Sequence, residues 1–311
     1  MPSEVDRTMP LAITELAGPL VAGRYRLRGL LGRGGAGEVY EAEDTRTGAA
    51  LAIKKLVQGP GDPERRAERF RREAQATGLL RHPNIVEVLD LIADHDALYL
   101  VMELVRGRPV GALIERGELT ARRSLVIARQ VLEALAHAHA HGMIHRDIKP
   151  DNLMLVSAGA PGREHERVKL LDFGLVKWIG DPAGAPGDQR LTQTGAVFGT
   201  PAYMAPEQAL NRPLDERADL YALGVVVFEM LTGRPPFRSP DPMTLLRMHA
   251  SAPPPALSAI AIGQPWCTPA LGELVARALA KQPAARFASA IEMMAALDAA
   301  FLSLDHLPAD P

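Results

Sequence analysis

The chain has 311 residues, of which 47% are hydrophobic, and its formal net charge is −2 at pH 7. This apolar fraction suffices for a sizeable core and excludes a globally disordered chain. The nearly neutral charge excludes nucleic-acid binding through bulk positive charge. A single cysteine, Cys267, allows no internal disulfide, which is typical of proteins from a reducing compartment.

The N-terminal residues lack the basic start and apolar run of a signal peptide. The longest apolar stretch, residues 220–231, is too short to span a bilayer and contains Glu229. We therefore expect a soluble cytoplasmic protein, or the cytoplasmic part of a longer receptor.

Short β-branched and apolar runs follow residues 1–22, which we expect to be a flexible lead-in. Gly, Asp and Pro separate these runs, which predict strands over residues 25–32, 37–45, 49–57, 85–95 and 97–105. One helix is predicted from Pro63 to about Leu80, with Asp62 as its N-cap.

The pattern becomes helical after Gly107. Residues 120–142 predict a long helix with Thr120 as its N-cap and Gly142 as its stop. Further helices are predicted within residues 216–233, 242–250, 269–281 and 289–304. Gly- and Pro-rich composition predicts mobile loops at 157–167 and 180–195 and an extended surface loop at 251–265.

Gly32, Gly34 and Gly37 have a spacing that lets backbone amides approach phosphate oxygens. The pattern alone is weak, because dinucleotide-binding folds carry it between a strand and a helix. Here a second strand follows, which favours a β-hairpin over phosphates. Lys54, on the next strand, is either an edge lysine in solvent or a cation for nucleotide phosphates, and Glu73 is the candidate anion to orient it.

The segment GMIHRDIKPDN, residues 142–152, places several charged side chains beside two isoleucines. Asp147 can orient an attacking hydroxyl or accept its proton, and Lys149 can neutralise a transferring phosphoryl group. Asn152 can bind a metal ion through its amide oxygen, and Asp172, after an apolar strand, is suited to Mg²⁺. Together these groups supply the positioning and charge neutralisation that phosphoryl transfer requires.

These motifs resemble those of the eukaryotic-type (Hanks-type) serine/threonine protein kinases, and the bacterial branch most closely. The resemblance runs from about Tyr25 to Phe301, and it includes H-R-D-x-K-P-x-N, D-F-G and the A-P-E of residues 205–207. It implies an α+β, two-lobed protein kinase fold, with a small antiparallel β-sheet lobe that has one main helix and a larger helical lobe. The lobes would cover residues 23–105 and 106–303, followed by a tail at 304–311.

The resemblance also implies ATP-dependent transfer of the γ-phosphoryl group to Ser and Thr of proteins. Asp147 would be the catalytic base, Lys54 would pair with Glu73 and contact phosphates, and Lys149 would assist transfer. Two residues would hold Mg²⁺, or Mn²⁺ as the alternative: Asn152 and Asp172. The nucleotide would lie among Gly32, Gly34, Gly37, Val39, Ala52, Lys54, the gatekeeper Met102, Glu103, Val105 and Met154.

Supporting roles are implied as well. Glu207 would form a buried ion pair with Arg286, Asp219 would brace the catalytic loop, and His145 would be structural. A lysine at position 149 and Thr200, which would contact Lys149 and Asp147, are typical of the serine/threonine enzymes.

Thr192 and Thr194 are the candidate regulatory phosphosites, because Arg146 resembles the arginine that binds an activation-loop phosphate. The alternative is that both are ordinary solvated loop threonines. The resemblance favours autophosphorylation in trans through a homodimer. It further implies protein substrates and phosphothreonine-binding adaptor domains as partners, and no nucleic acid.

Two other functions are compatible with parts of the pattern. A pseudokinase-type binding scaffold would be expected to lack a catalytic Lys, Asp or Asn, all of which are present. A small-molecule phosphotransferase shares the metal aspartate but usually lacks the A-P-E segment. His137 and His141 share a helix face and could bind a metal ion, but such a zinc site would also need His145, which the catalytic loop already uses.

Overall fold

The computed structural model describes residues 18–34, 37–56, 80–94, 97–159, 165–172 and 201–304. Most of the predicted helix that starts at Pro63, including Glu73, lies outside the described residues. The segment 173–200, with Thr192, Thr194 and Thr200, also lies outside them.

A six-stranded antiparallel sheet forms the N-terminal part of the described chain, in the order β1-β2-β3-β4-β6-β5. It confirms all five predicted strands. The flexible lead-in was predicted too long at its C-terminal end, because Leu20 and Val21 pair with β2 and Val21 is only 3% exposed. The strands are β1 Leu20–Val21, β2 Tyr25–Gly34, β3 Gly37–Asp44, β4 Ala50–Leu56, β5 Val88–Asp94 and β6 Ala97–Glu103.

Strand β4 shows how alternation along a strand separates two apolar layers. Leu51 and Ile53 join one buried cluster with Val101, whereas Ala52 joins another with Met102. Lys54 is two residues beyond Ala52 and therefore points to the same side of the sheet. The neighbouring Lys55 is exposed.

A small second sheet consists of β7 Arg108–Pro109, β8 Leu153–Ala158 and β9 His165–Leu170. Strands β8 and β9 are antiparallel, with Ala158 opposite His165. The prediction of a mobile loop over 157–167 was therefore wrong at both ends, because the hairpin strands extend into this range. The strands of this hairpin are held by backbone hydrogen bonds, which do not require an apolar pattern of side chains. The composition of the segment therefore suggested a loop.

Helices dominate the chain after residue 109. Thr120 caps the long helix α2, since its hydroxyl accepts from the Arg123 amide at 3.2 Å, and Gly142 follows the helix with φ +72°. Leu257, 3% exposed, begins a short helix, so the extended loop predicted at 251–265 was wrong there. The helices are α1 Val110–Glu115, α2 Ala121–Ala140, α3 Pro206–Ala209, α4 Arg217–Thr232, α5 Pro242–Ser251, α6 Leu257–Ile260, α7 Pro269–Ala278 and α8 Ala290–Leu302.

Helix α4 lies at the centre of the main hydrophobic core, and twelve of its sixteen residues are buried. Side chains of α2, α7 and α8 join the same core cluster. This two-part architecture confirms the predicted α+β fold. No helix in the described ranges is long and apolar enough to cross a membrane.

Gly224 is the point of closest approach between α4 and α7. A Cβ atom at this position would lie 2.7 Å from the Cβ of Ala278, so the two helices would have to separate. Gly272, in α7, has no atom within 4 Å of the equivalent Cβ position.

We expect Gly224→Ala to lower the free energy of unfolding by about 1–2 kcal/mol through overpacking. The matched control, Gly272→Ala, should raise it by roughly 0.5–1 kcal/mol, since it only removes backbone entropy from the unfolded chain. Urea denaturation followed by circular dichroism measures both. Equal effects of the two substitutions would contradict the close approach.

Candidate active site

The carboxylate of Asp219, at the start of α4, holds the loop between α2 and the 3₁₀ helix Pro150–Asn152. Its oxygens accept hydrogen bonds from the amides of His145 and Arg146, both at 2.8 Å, and contact Nε2 of His139 at 2.9 Å. Burial alone would raise the pKa of Asp219. The bond from His139, the nearby His145 and the Arg146 amide outweigh burial and hold that pKa below its usual value.

Arg146 has a left-handed backbone, with φ +67°, which costs energy for a residue other than glycine. Its amide binds Asp219, and its carbonyl accepts from Nε2 of Gln208 at 3.1 Å. Gln208 belongs to α3, directly after Glu207. These contacts stabilise the strained turn that presents Asp147.

His145 is fully buried and joins this loop to the strand that leads to Asp172. Its Nδ1 accepts from the Asp147 amide at 3.2 Å, so Nε2 carries the proton that is donated to the carbonyl of Leu171 at 2.8 Å. Burial lowers the pKa of His145, despite the opposing effect of Asp219. A neutral imidazole with this tautomer agrees with the structural role predicted for it.

Asp147, Lys149 and Asn152 lie together. Nζ of Lys149 donates to Oδ2 of Asp147 at 2.9 Å, and Nδ2 of Asn152 donates to the carbonyl and Oδ2 of Asp147 at 2.7 and 3.1 Å. Both side-chain donors therefore share Oδ2 of Asp147. Because Asn152 donates through its nitrogen, its amide oxygen is the atom directed to other ligands.

Lys54 forms an ion pair with Asp172, with 2.7 Å between Nζ and Oδ2. The lysine side chain is 4% exposed and that of the aspartate is 30% exposed. Asp172 also has a left-handed backbone, φ +57°. The predicted partner of Lys54, Glu73, lies outside the described residues, so their pairing stays a prediction.

The two groups of polar residues are connected through the backbone. The amide of Leu171 donates to the carbonyl of Asn152 at 2.9 Å, one residue before Asp172. The Asp147 group and the Lys54–Asp172 pair are therefore parts of one site between the two sheets.

An apolar cluster lies beside Lys54. Ala52 and Met102 are opposite each other in neighbouring strands and are both buried. Val39 and Val105, also predicted to contact the nucleotide base, pack against them together with Val88, Leu91, Leu104 and Leu171. Met154 is half-buried on β8.

The glycine segment forms the predicted hairpin. Gly32 pairs with Val39 and Gly34 with Gly37, across the turn between β2 and β3. Gly37 has φ +136°, and a Cβ atom there would lie 2.0 Å from the carbonyl oxygen of Lys55, so no other residue fits. Around Gly32 and Gly34 a Cβ would meet nothing within 4 Å, which leaves room for a ligand.

The side chain of Glu103 has a partner that sequence reasoning missed. Its carboxylate accepts from the amide of Glu87 at 2.9 Å and from Nζ of Lys169 at 2.5 Å. Lys169 also donates to the carbonyl of Ile85 at 3.3 Å. Glu103 and Lys169 are 66 residues apart, and a lone lysine in a strand carries no signal for this contact.

Glu207 and Arg286 form the predicted buried ion pair, with two parallel bonds of 2.7 and 2.8 Å. The side chains are 5% and 0% exposed. Arg286 donates further to the carbonyls of Arg217, Ala280 and Lys281, so its remaining N–H groups are also satisfied. The pair fixes α3 to the core next to the loop that carries Asp147.

The closely spaced histidines serve different parts of the structure. His139 binds Asp219 and His145 binds Leu171, whereas the ring of His137 contacts those of His82 and His141. Within the part of the chain that the structure describes, no group of three or more His, Cys, Asp or Glu side chains is arranged to hold a metal ion.

Comparison with known proteins shows the family of the chain. A family model described as a protein kinase domain matches residues 25–301. The chain belongs to the protein kinase family. Its kinase region is similar in structure to the kinase domain of Mycobacterium tuberculosis PknI, with a TM-score of 0.68 and 29% identity over 91% of this chain and 98% of that one.

Three curated relatives of this chain come from bacteria. It is 43% identical to the serine/threonine-protein kinase PksC of Streptomyces coelicolor, over 88% of this chain and 48% of PksC. It is 40% identical to the probable serine/threonine-protein kinase SCO3848 of the same organism, over 90% and 40% of the two chains. Mycobacterium tuberculosis PknA is 40% identical, over 88% and 60%. The chain thus spans about half the length of these relatives.

We expect Arg286→Ala to lower the free energy of unfolding by about 3–5 kcal/mol, because it leaves the Glu207 carboxylate buried without a partner. Arg108 forms a similar two-bond pair with Glu118, but it is exposed. The control Arg108→Ala should leave the free energy of unfolding nearly unchanged, because solvent screens this pair. Chemical denaturation measures both, and a loss below about 1 kcal/mol for Arg286→Ala would contradict the importance of this pair.

Proposed function

We propose that the chain is an ATP-dependent serine/threonine protein kinase, which transfers the γ-phosphoryl group to Ser and Thr of protein substrates. The observation that carries this proposal is the arrangement of Asp147, Lys149 and Asn152 on a loop held by Asp219, joined through Leu171 to the Lys54–Asp172 pair. Family membership supports it, since protein kinases use ATP and a divalent metal.

The nucleotide would lie between the two lobes, residues 23–105 and 106–303. The apolar cluster of Val39, Ala52, Met102 and Val105 fits a flat base. The backbones of Glu103 and Val105 would bind the adenine edge, with Met154 below. Gly32, Gly34 and Gly37 would cover the phosphates, and Lys54 would neutralise them, with Glu73 as its second anionic partner.

A divalent cation fits the oxygen ligands that remain. The carboxylate of Asp172 and the amide oxygen of Asn152 are hard ligands, which suit Mg²⁺ and also Mn²⁺. The metal would supply charge neutralisation on the phosphates. The ion pair between Lys54 and Asp172 would hold the phosphate-binding lysine next to the metal-binding aspartate.

The side chains of the loop would then act directly on the reacting groups. Asp147 orients the substrate hydroxyl and accepts its proton. Lys149, already bound to Asp147, balances negative charge on the transferring group. Thr200 would contact both and complete the serine/threonine-type site.

Regulation would use the segment that contains Thr192 and Thr194. Phosphates on these threonines would bind Arg146, beside Asp147, and order the segment through charge-assisted bonds. Autophosphorylation in trans within a homodimer is the proposed route, and phosphothreonine-binding adaptor domains are proposed partners. The supply of ATP points to the cytoplasm as the compartment of the reaction.

The two rival functions are less well supported. A binding scaffold without turnover does not need Asp147, Lys149 and Asn152 bound to one another as they are here. A small-molecule phosphotransferase does not need α3 fixed beside the site by Glu207 and Arg286, the segment that docks a polypeptide in kinases.

The test is phosphate transfer from γ-labelled ATP with Mg²⁺ to the chain itself and to a generic basic protein. Lys54→Met and Asp147→Asn should each lower the rate about 10²–10⁴-fold, because each removes a group that acts on the reacting phosphate or hydroxyl. Lys55→Met, at the exposed neighbouring position, is the matched control and should retain the wild-type rate.

Peptide mapping of the labelled wild-type product should find phosphate on Thr192 or Thr194. Nucleotide binding without any transfer would instead favour the scaffold. Labelling of an aminoglycoside or sugar with no labelled protein would favour the small-molecule enzyme.

A further inference from the structure

Three imidazoles that the proposed phosphate transfer does not use lie in contact near the C-terminal end of α2. The rings of His82 and His137 stack with 5.2 Å between centroids and 29° between planes. The rings of His137 and His141 follow at 4.6 Å and 46°. We name this group of three residues the histidine cluster.

His82 belongs to a short stretch, residues 80–86, that leads into the N-terminal sheet but is bound to the helical lobe. We name it the anchor segment. The amide of Leu170 donates to the carbonyl of Asn84 at 2.8 Å, and the amide of Val86 donates to the carbonyl of Leu170 at 3.0 Å. Nδ2 of Asn84 reaches Oε1 of Gln130, on α2, at 2.9 Å.

The anchor segment is close to the active site, because Leu170 precedes Asp172 by two residues. The carbonyl of Ile85 accepts from Lys169, which also binds Glu103. A change in how this segment sits on α2 would therefore reach both the base-binding strand and the metal-binding aspartate.

Hydrogen bonding favours neutral rings on His82 and His137, whereas Nδ1 of His141, 2.8 Å from the carbonyl of His137, can donate whether or not that ring is charged. Nδ1 of His82 accepts from the amide of Asn84 at 3.2 Å, so a proton on Nδ1 would break this bond at the start of the anchor segment. Nε2 of His137 is buried with no hydrogen-bond partner among the described residues. A proton there would be an N–H without an acceptor, which is costly.

The surroundings of the cluster lower the pKa values of His82 and His137. Burial lowers the pKa of His82, and so do His137 and Lys169, while Glu133 opposes them from α2. Burial and then His141 lower the pKa of His137. Glu133 is itself paired with Arg129, which weakens its attraction for a proton on His82.

We propose that the histidine cluster is a proton-sensitive contact between the anchor segment and α2, which holds the two together when the rings are neutral and loosens when they are protonated. At acid pH, a positive ring of His137 would lie 5.2 Å from that of His82 and 4.6 Å from that of His141, and like charges at such distances repel. The kinase would lose part of its stability and its rate as the pH falls from neutral into the acid range.

The sign of the stability change follows from linkage. A histidine whose folded-state pKa lies below its unfolded value of about 6.5 contributes its full stability above that pH. The contribution is lost as the pH falls below about 6.5 towards the folded-state pKa. At pH values below both pKa values, each unit by which folding lowers the pKa makes the folded-to-unfolded ratio about tenfold smaller.

The first experiment compares thermal and urea unfolding of the wild type and His137→Phe between pH 8.0 and 5.5. Phenylalanine keeps the ring contact but cannot be charged. As the pH falls, we expect the folded-to-unfolded ratio of the variant to rise relative to that of the wild type. The rise should be about tenfold for each unit by which folding lowers the pKa of His137. His137→Gln provides a second uncharged variant in case the larger ring prevents folding.

The control is His165→Phe, at an exposed position of β9 away from the cluster. It should follow the wild-type pH dependence, which also contains the contributions of the buried His145 and His249. Parallel pH dependence of His137→Phe, His137→Gln and the wild type would overturn the proposal.

The second experiment is an NMR titration of the imidazole protons. The resonance that disappears in His137→Phe should titrate below pH 6.5 in the wild type, and the resonance of His82 should shift its midpoint upward in the variant. A midpoint for His137 at or above 6.5 would overturn the proposal. Neither experiment needs phosphate transfer, so its result is independent of the proposed kinase activity.

Discussion

The buried carboxylate of Asp219 is the interaction on which the active site depends. A carboxylate that is 1% exposed would be costly without partners. Its two oxygens receive two backbone amides of the catalytic loop and the ring of His139, so the charge is compensated by bonds that also fix the loop. Because α4 is buried on nearly every side, the position of this carboxylate is set by the core.

Two sets of contacts connect the loop held by Asp219 to the rest of the site. His145 and the carbonyl of Asn152 connect the loop to Leu171, and so to Asp172 and its ion pair with Lys54. Gln208 connects the carbonyl of Arg146 to α3, which the buried Glu207–Arg286 pair fixes to the core. Each charged group that would be costly to bury alone thereby has its own partner.

Local patterns in the sequence predicted much of this. Alternation of apolar residues gave the strands of the larger sheet, the Thr120 cap gave the start of α2, and ordered motifs gave the residues of the site. The predictions were wrong where polar or Pro-rich composition suggested irregular structure. Leu20 and Val21 form a strand within the expected lead-in, residues 165–167 belong to β9, and Leu257 starts a helix in a Pro-rich stretch.

Three contacts between distant residues were not predicted from the sequence. Lys54 and Asp172 are separated by 118 positions, Glu103 and Lys169 by 66, and His82 and His137 by 55. Each depends on how the two lobes meet, which no local periodicity specifies. The motifs indicate which residues matter, whereas the structure shows which of them bind each other.

We infer that Asp219 positions the loop of residues 141–149 for phosphate transfer, and the substitution Asp219→Asn tests this role. Asparagine has a similar shape, but its amide nitrogen cannot accept from the loop. Transfer from γ-labelled ATP should fall by about 10²-fold, since small displacements of reacting groups have effects of this size. Nucleotide affinity should change little, and Asp215→Asn, an exposed neighbour, should behave as wild type. A folded Asp219→Asn variant with the wild-type rate would contradict the account.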